Sequence, residues 1–536
     1  MTGNGNFYIT TAIPYVNAEP HLGHALELVQ ADVLARHRRL RGQRVRFLTG
    51  TDDNALKNVT AAHAAGAPVG EFVARNAARF YELREPLALS FDDFIKTSAD
   101  PRHRPGVARL WRQCADRGDF YQRRYSGLYC GGCEQFYLPE ELADGLCPEH
   151  RVAPEPVIEQ NWFFRLSRYT GELLDALRSG RVRIEPDTRR NEVLAFARAG
   201  LHDISVSRPA SRARGWGIPV PGDPGQIIYV WWDALANYVT ALGYGGTDEQ
   251  LYRDWWVHSG ERVQVIGKGV TRFHAVYWLA LLLAAGQPLP STIYVHEYLS
   301  VNGAKLAKSA GNAISPYELA ARFGTDAVRW WLLREVARLG DTDFTVQRLV
   351  NRANSDLANG VGNLQHRTLT LVHKYRHGQI TRPDGQAAPP SGQGAPGTEL
   401  VTACQGLPHR IDQALARFDF HAATNAIWSV VQAGNRLAET ERPWELARRA
   451  EHGDHAATTR LDEVLSVLTG ACRGVLTGAC RVLATELGPF LPTGAAALGS
   501  QLHAPRGVIA PPVPVFTRRR AEASDPPTGQ RLAAVR

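Results

Sequence analysis

The order of apolar runs near the N-terminus constrains the fold more than any other feature. Phe7 to Ala12 alternates and is rich in Ile and Thr, so it reads as a strand. A Pro-containing turn follows, then a helix from about His24 through Leu40. A second strand, Arg44 to Leu48, runs into a Gly-Thr-Asp turn. Strand, helix, strand is the start of a parallel α/β sheet, because parallel neighbours need a crossover between them. The pattern resumes at Ile227 to Trp231, Val263 to Ile266 and Thr292 to Val295. Between these blocks, residues 114–225 carry short strands, turns and clustered cysteines, and read as an insertion. After about residue 345 the chain reads as long amphipathic helices.

The chain has 536 residues, so several domains are expected rather than one. Lys and Arg number 61 against 53 Asp and Glu, a surplus of +8 that suits a polyanionic partner such as RNA without requiring one. The opening MTGNGNFYITTAIPY has no basic segment followed by an apolar run, so no secretory signal is expected. The longest apolar stretch, Ala275 to Ala285, is too short to span a bilayer. A cytoplasmic, non-membrane protein is the expectation. The Pro/Gly-rich stretch Asp384 to Gly397 predicts a mobile loop, and the residues from Thr517 a disordered tail. VLTGACR occurs at 467–473 and again at 475–481, a tandem duplication that accounts for Cys472 and Cys480 without a metal role.

Cys130-x2-Cys133 is followed, after thirteen intervening residues, by Cys147-x2-His150. Paired two-residue spacings suit one tetrahedral zinc with three thiolates and one imidazole. Four protein ligands leave no position for water, so the expected role is structural.

His21-Leu22-Gly23-His24 sits just after the first strand, where a helix begins. A helix N-terminus favours anionic charge, imidazoles can donate to phosphate oxygens, and Gly would let a nucleotide approach the backbone. Lys305-Leu306-Ala307-Lys308-Ser309, preceded by Asn302-Gly303 and followed by Gly311-Asn312, is a lysine loop able to close over a triphosphate. Either motif alone is a common surface feature. Together, in this order, they resemble the paired signatures of class I aminoacyl-tRNA synthetases.

The resemblance covers nearly the whole chain and is to the methionyl-tRNA synthetase family. It is carried by AIPYVNAEPHLGH, FLTGTDD, GLYCGGCEQFY, GIPVPGDPGQIIYVWWDALANY, VIGKGVTRFHAVYW and VNGAKLAKSAGN. It implies catalytic roles for His21, His24, Lys305 and Lys308, with Gly23 and Ser309 also at ATP. It implies that Asp52 holds the substrate ammonium. Ile13, Tyr15, Trp231, Ala234, Leu235, Tyr238 and His274 would shape the pocket for the methionine side chain. Asn363, Arg367 and Trp444 would read the anticodon of tRNA(Met), by stacking and forked hydrogen bonds. ATP with Mg2+, L-methionine and one structural Zn2+ are the implied ligands, and a monomer the expected state. The implied architecture is a Rossmann-type catalytic domain (1–113 and 226–300) interrupted by a zinc-knuckle insertion (114–225). A lysine-loop and stem-contact region (301–345), a helical-bundle anticodon-binding domain (346–516) and the tail (517–536) follow.

The sequence departs from the family pattern in four places. Asp53-Asn54-Ala55 stands for Glu-His-Gly, and Gly269 for the aspartate of Gly-Lys-Asp. Leu306 and Ala307 replace Met and Ser, and Glu297 replaces a glycine. Three activities remain open on the sequence: a working synthetase, an enzyme that adenylates an amino acid for a non-tRNA acceptor, and an RNA-binding regulator without catalysis. Asn363, Arg367 and Trp444 favour tRNA as acceptor, and the two histidines and two lysines argue against the third.

Overall fold

Strand β1 (Phe7–Thr11) is buried on both faces, as a strand inside a parallel sheet must be. The computed structural model describes residues 5–133, 135–149, 151–306, 313–379, 397–469, 478–503, 508–509 and 511–521. They fall into two compact units, 1–85 with 89–298, and 86–88 with 299–536.

In the first unit β1 leads through a turn into helix α1 (Leu22–Leu40), which returns the chain to β2 (Val45–Thr51). Helices α2 (Leu56–Ala64) and α3 (Val69–Glu82) then cross to β3 (Asp93–Lys96), and α4 (His103–Asp116) leaves the sheet. An antiparallel sheet follows. It is built on β4 (Phe120–Cys130), β5 (Gln135–Tyr137), β6 (Glu155–Phe164) and, beyond a return to the parallel sheet, β8 (Ile204–Ser205). That return is α5 (Thr170–Arg178), the short strand β7 (Arg183–Glu185) and α6 (Asp187–Arg198). A small sheet of β9 (Ser207–Pro209), β10 (Pro219–Val220) and β11 (Asp223–Ile228) runs into α7 (Val230–Thr240). Strands β12 (Glu261–Gly267) and β13 (Thr292–His296) complete a six-stranded parallel sheet ordered β3-β2-β1-β12-β13-β7. The fold is thus Rossmann-like with an antiparallel insertion that carries the cysteines.

Two sequence expectations change. Ile227–Trp231 is not a strand of the parallel sheet. Ile227 and Ile228 end β11, which pairs antiparallel with β9, and the helix starts at Val230. Strand β7, read within the insertion, pairs parallel with β13 at the sheet edge.

The order has its switch between β1 and β12. β1 sends its crossover toward β2, while β12 sends its own toward β13. Ligands of open α/β sheets bind outside the carboxyl ends of the strands at such a point.

The second unit begins with a three-stranded sheet, Leu299–Val301, Ala304–Lys305 and Thr342–Asp343. Helices dominate after it, among them Asn363–Arg376, Thr398–Leu415, Phe420–Glu441, Pro443–Glu451 and His455–Thr469. Of the tail, residues 517–521 are described and are tied down. Asn354 exchanges hydrogen bonds with the Arg519 backbone, and Arg518 Nε donates to Asn359 Oδ1 at 2.9 Å. Residues 522–536, the loop residues 384–396 and residues 470–477 of the tandem repeat lie outside the described ones. Among the described residues no helix is long and apolar enough to cross a membrane.

Candidate active site

His21 caps α1. Its Nδ1 accepts from Gly23 N at 3.1 Å, while His24 Nδ1 accepts from His21 N at 3.1 Å. The rings stack with centroids 3.8 Å apart. With both Nδ1 atoms accepting, each neutral ring carries its proton on Nε2 and donates from there. The pair is therefore a double donor set on a helix N-terminus, where the helix dipole already favours an anion. Gly23 has a reason the sequence did not suggest. A Cβ there would meet His21 Cε1 at 2.9 Å, so glycine makes room for the capping ring.

Past β1 the chain continues through Ile13 to Tyr15, which bridges in parallel to Asp52 at the end of β2. Asp52 N donates to the Pro14 carbonyl at 2.9 Å, and the Asp52 side chain is buried. A carboxylate is thereby held at the carboxyl end of the sheet, beside the turn from β1. Tyr15 meets Trp231 edge to face at 6.0 Å, and Trp231 lies flat on Phe273 at 3.6 Å. Ala234 and Leu235, one turn further along α7, are buried. Tyr238 and His274 join at 2.6 Å through Oη and Nε2, and His274 Nδ1 donates to the Val270 carbonyl at 2.9 Å. Nε2 is therefore the acceptor and Tyr238 the donor. Burial lowers the His274 pKa to about 4, so the imidazole is neutral. His274 sits in a π-helical turn, Phe273–Trp278, a distortion often found at functional sites. The result is an apolar, aromatic wall closed by a neutral hydrogen-bonded pair, suited to a side chain with no charge and no strong donor.

Two neighbours were missed in the sequence. Phe273 forms half of the Trp231 stack, and its place beside His274 was the available signal. Glu27 lies one turn beyond His24 on α1, and its Oε2 is 3.0 Å from His296 Nε2 at the end of β13. Burial raises the Glu27 pKa, opposed by the bond to His296.

The departures have local partners. Half-buried Asn54 donates to Asp233 Oδ2 at 3.1 Å, and Asp233 Oδ1 lies 3.6 Å from His103 Nε2, both of these side chains fully buried. Glu297 Oε1 accepts from Arg189 Nη2 at 2.6 Å, and its Oε2 lies 3.4 Å from Lys268 Nζ. The Lys305 backbone pairs with Ser300 in the second unit. Ala307, Lys308 and Ser309 lie outside the described residues.

Three thiols meet in the insertion. The sulfurs of Cys130, Cys133 and Cys147 all lie within 4.8 Å of one another, with no disulfide among them. Cys133 and Cys147 sulfurs are 3.3 Å apart, and the Tyr137 hydroxyl lies 3.1 Å from Cys133 Sγ. Burial pushes the Cys133 thiol well up, so thiolates here need a cation. The donor set is compatible with a structural zinc. His150 lies outside the described residues.

In the second unit Asn363 and Arg367 stand one turn apart on helix Asn363–Arg376, both half-buried. Trp444 is half-buried at the start of helix Pro443–Glu451. The two helices share a core through Leu369, Val372 and Ala447.

The family described as tRNA synthetases class I (M) matches residues 7–155 and 150–369. That span takes in the parallel sheet, the thiol cluster and the start of the helical unit, and sets the chain in the class I tRNA synthetases. Its most similar relatives include a methionine–tRNA ligase of Mycobacterium bovis. The two are 38% identical over 98% of this chain and 99% of the relative. A methionine–tRNA ligase of Caldanaerobacter subterraneus subsp. tengcongensis is 38% identical over 92% of this chain and 74% of the relative. The structure of Mycobacterium tuberculosis methionyl-tRNA synthetase in complex with methionyl-adenylate superposes with a TM-score of 0.87. Identity is 37%, over 96% of this chain and 100% of that one. The chain belongs to the methionyl-tRNA synthetase family.

Proposed function

We infer that this chain is a methionine–tRNA ligase, forming methionyl-adenylate from L-methionine and ATP and passing the methionyl group to tRNA(Met). Within the geometry, the observation that carries this is the neutral aromatic wall of Tyr15, Trp231, Tyr238 and His274, in the same parallel-sheet unit as the histidine-capped helix α1.

Methionine enters with its ammonium on Asp52 and its thioether among Ile13, Tyr15, Trp231, Ala234, Leu235, Tyr238 and His274. ATP arrives as its magnesium complex. Its phosphates lie at Gly23, with His21 and His24 donating from Nε2, and the lysine motif assigns Lys305, Lys308 and Ser309 to ATP as well. A methionine carboxylate oxygen attacks the α-phosphorus in line, and pyrophosphate leaves. The donors act on charge that grows at the phosphate as the bond to the leaving group breaks. A ribose hydroxyl of the terminal tRNA adenosine then attacks the methionyl carbonyl, and AMP leaves. Asn363, Arg367 and Trp444 hold the anticodon. Cys130, Cys133 and Cys147 would hold a zinc ion with His150 as the fourth ligand, and the ion would supply a structural cross-link within the insertion. The enzyme acts as a cytoplasmic monomer.

The test is amino-acid-dependent exchange of pyrophosphate into ATP across a substrate panel, with charging of bulk tRNA alongside. Methionine-specific exchange with charging is expected. Exchange without charging would redirect the activity to a non-tRNA acceptor, and no exchange would leave only RNA binding.

A further inference from the structure

Helix α7 has two buried faces. Trp231, Ala234, Leu235 and Tyr238 recur at three- and four-residue spacings and share the face that carries the apolar wall. Asp233, Asn237 and Thr240 share the opposite face and are buried as well. Burying a carboxylate behind an apolar wall is costly, and a hydrophobic residue there would serve stability as well or better. The partners of Asp233 say what it does instead. One of them is α4. His103 faces Asp233, and its Nδ1 is 2.8 Å from Thr240 Oγ1. A Cβ on Gly106 would meet the Tyr244 carbonyl oxygen at 2.5 Å, so glycine lets α4 sit close behind the end of α7. The other partner is Asn54, whose amide donates to Asp233 Oδ2.

Asn54 belongs to the turn that presents Asp52, and that turn is itself fixed. The Asn58 amide donates to the Asp52 and Asp53 carbonyls at 2.9 and 3.0 Å. The Trp216 indole donates to the Asp53 carbonyl at 2.9 Å, and Ser98 Oγ to Asp53 Oδ2 at 2.8 Å. Ala55, next along, shares a buried cluster with Tyr229 and Val230, and Tyr15 and Trp231 pack against it. Two of the residues that depart from the family pattern, Asn54 and Ala55, thus seat the turn on the start of α7. A fixed turn is tied to the back of a fixed helix, and the tie sets how far the Asp52 carboxylate stands from the Trp231 face. A substrate held at both points is gauged by that span, and a small error in it costs binding.

We propose that Asn54 and Asp233 are positioning residues for the amino acid: their hydrogen bond fixes the span between the ammonium anchor and the side-chain wall, and with it the length of side chain accepted. This rests on methionine being the substrate. The test is pyrophosphate exchange by the full chain with methionine and with ethionine, its homologue longer by one methylene. Asn54→Ala and Asn54→Leu are expected to raise the KM for methionine about tenfold or more, the worth of one hydrogen bond to a charged group, with the KM for ATP unchanged. Asn54→Leu keeps the side-chain volume and removes the donor, so the test stands even where Asn54→Ala does not fold. Preference for methionine over ethionine should fall several-fold in both. Asp233→Leu should match Asn54→Leu, and the two together should lose no more than either. An unchanged methionine KM, an equal rise in the KM for ATP, an unaltered preference over ethionine, or additive losses in the double variant would overturn the assignment, while exchange by the parent upheld the functional reading. Absence of methionine-dependent exchange in the parent would overturn both.

Discussion

His274 illustrates how much a single side chain's environment decides. It is a histidine that must stay neutral, wedged between the Tyr238 hydroxyl and the Val270 carbonyl. Its folded pKa of about 4 lies below the ordinary value of 6.5. The unfolded chain therefore binds the proton first as pH falls. The stability this group allows is fully present above pH 6.5 and is lost between there and about pH 4, at about 1.4 kcal/mol per pH unit. His274→Gln should lose less stability than the parent between pH 7 and pH 5 in urea titrations, and equal losses would count against a neutral buried imidazole. The candidate residues themselves were legible in the sequence, because HxGH and the pocket motif are contiguous strings. What was not legible was their hydrogen bonding. That Gly23 serves the His21 ring, and that both Nδ1 atoms are committed, depends on torsions no string displays. Glu27 with His296, and Asn54 with Asp233, join residues far apart in sequence, so only the folded sheet pairs them.

At the scale of elements, the sequence read β1, α1 and β2 to within a few residues, since each has a clean period. Ile227–Trp231 failed for a physical reason. Ile227-Ile228-Tyr229-Val230-Trp231-Trp232 is all β-formers, and α7 that begins inside it is buried almost throughout, so no polar face marks the change of period. The three-residue β7 carries too little pattern to be found at all. The cysteine spacing was the clearest signal, and it belongs to the insertion as a unit. Cys147→Ser should take bound zinc, measured by atomic emission, from about one per chain to none. It should also open the 120–160 segment to protease while the parallel sheet stays intact; retained zinc would refute the ligand set. The lysine loop makes its own prediction. Lys308→Ala should lower pyrophosphate exchange by about two orders of magnitude or more, as losing one transition-state donor does. Near-normal exchange would remove Lys308 from the chemistry.

For the whole molecule, division into two units implies separable functions. Trp444→Ala in the helical unit should raise the KM for tRNA several-fold and leave methionine activation unchanged. Parallel loss of both would argue against anticodon reading. The basic surplus in the composition said little by itself, because a net charge of +8 does not say where the charge stands, and ion pairs such as Arg460 with Glu441 and Arg376 with Asp462 leave that net unchanged. The register of the central sheet also has a temporal side. β1 lies between β2, made soon after it, and β12, whose Glu261 pairs with Phe7 about 250 residues later. At a ribosomal pace of about 5–20 residues per second, the first strand waits roughly 10–50 s with one edge open. Until β12 is made that edge is an apolar template for wrong pairing, so the sheet's central register carries a cost in folding time.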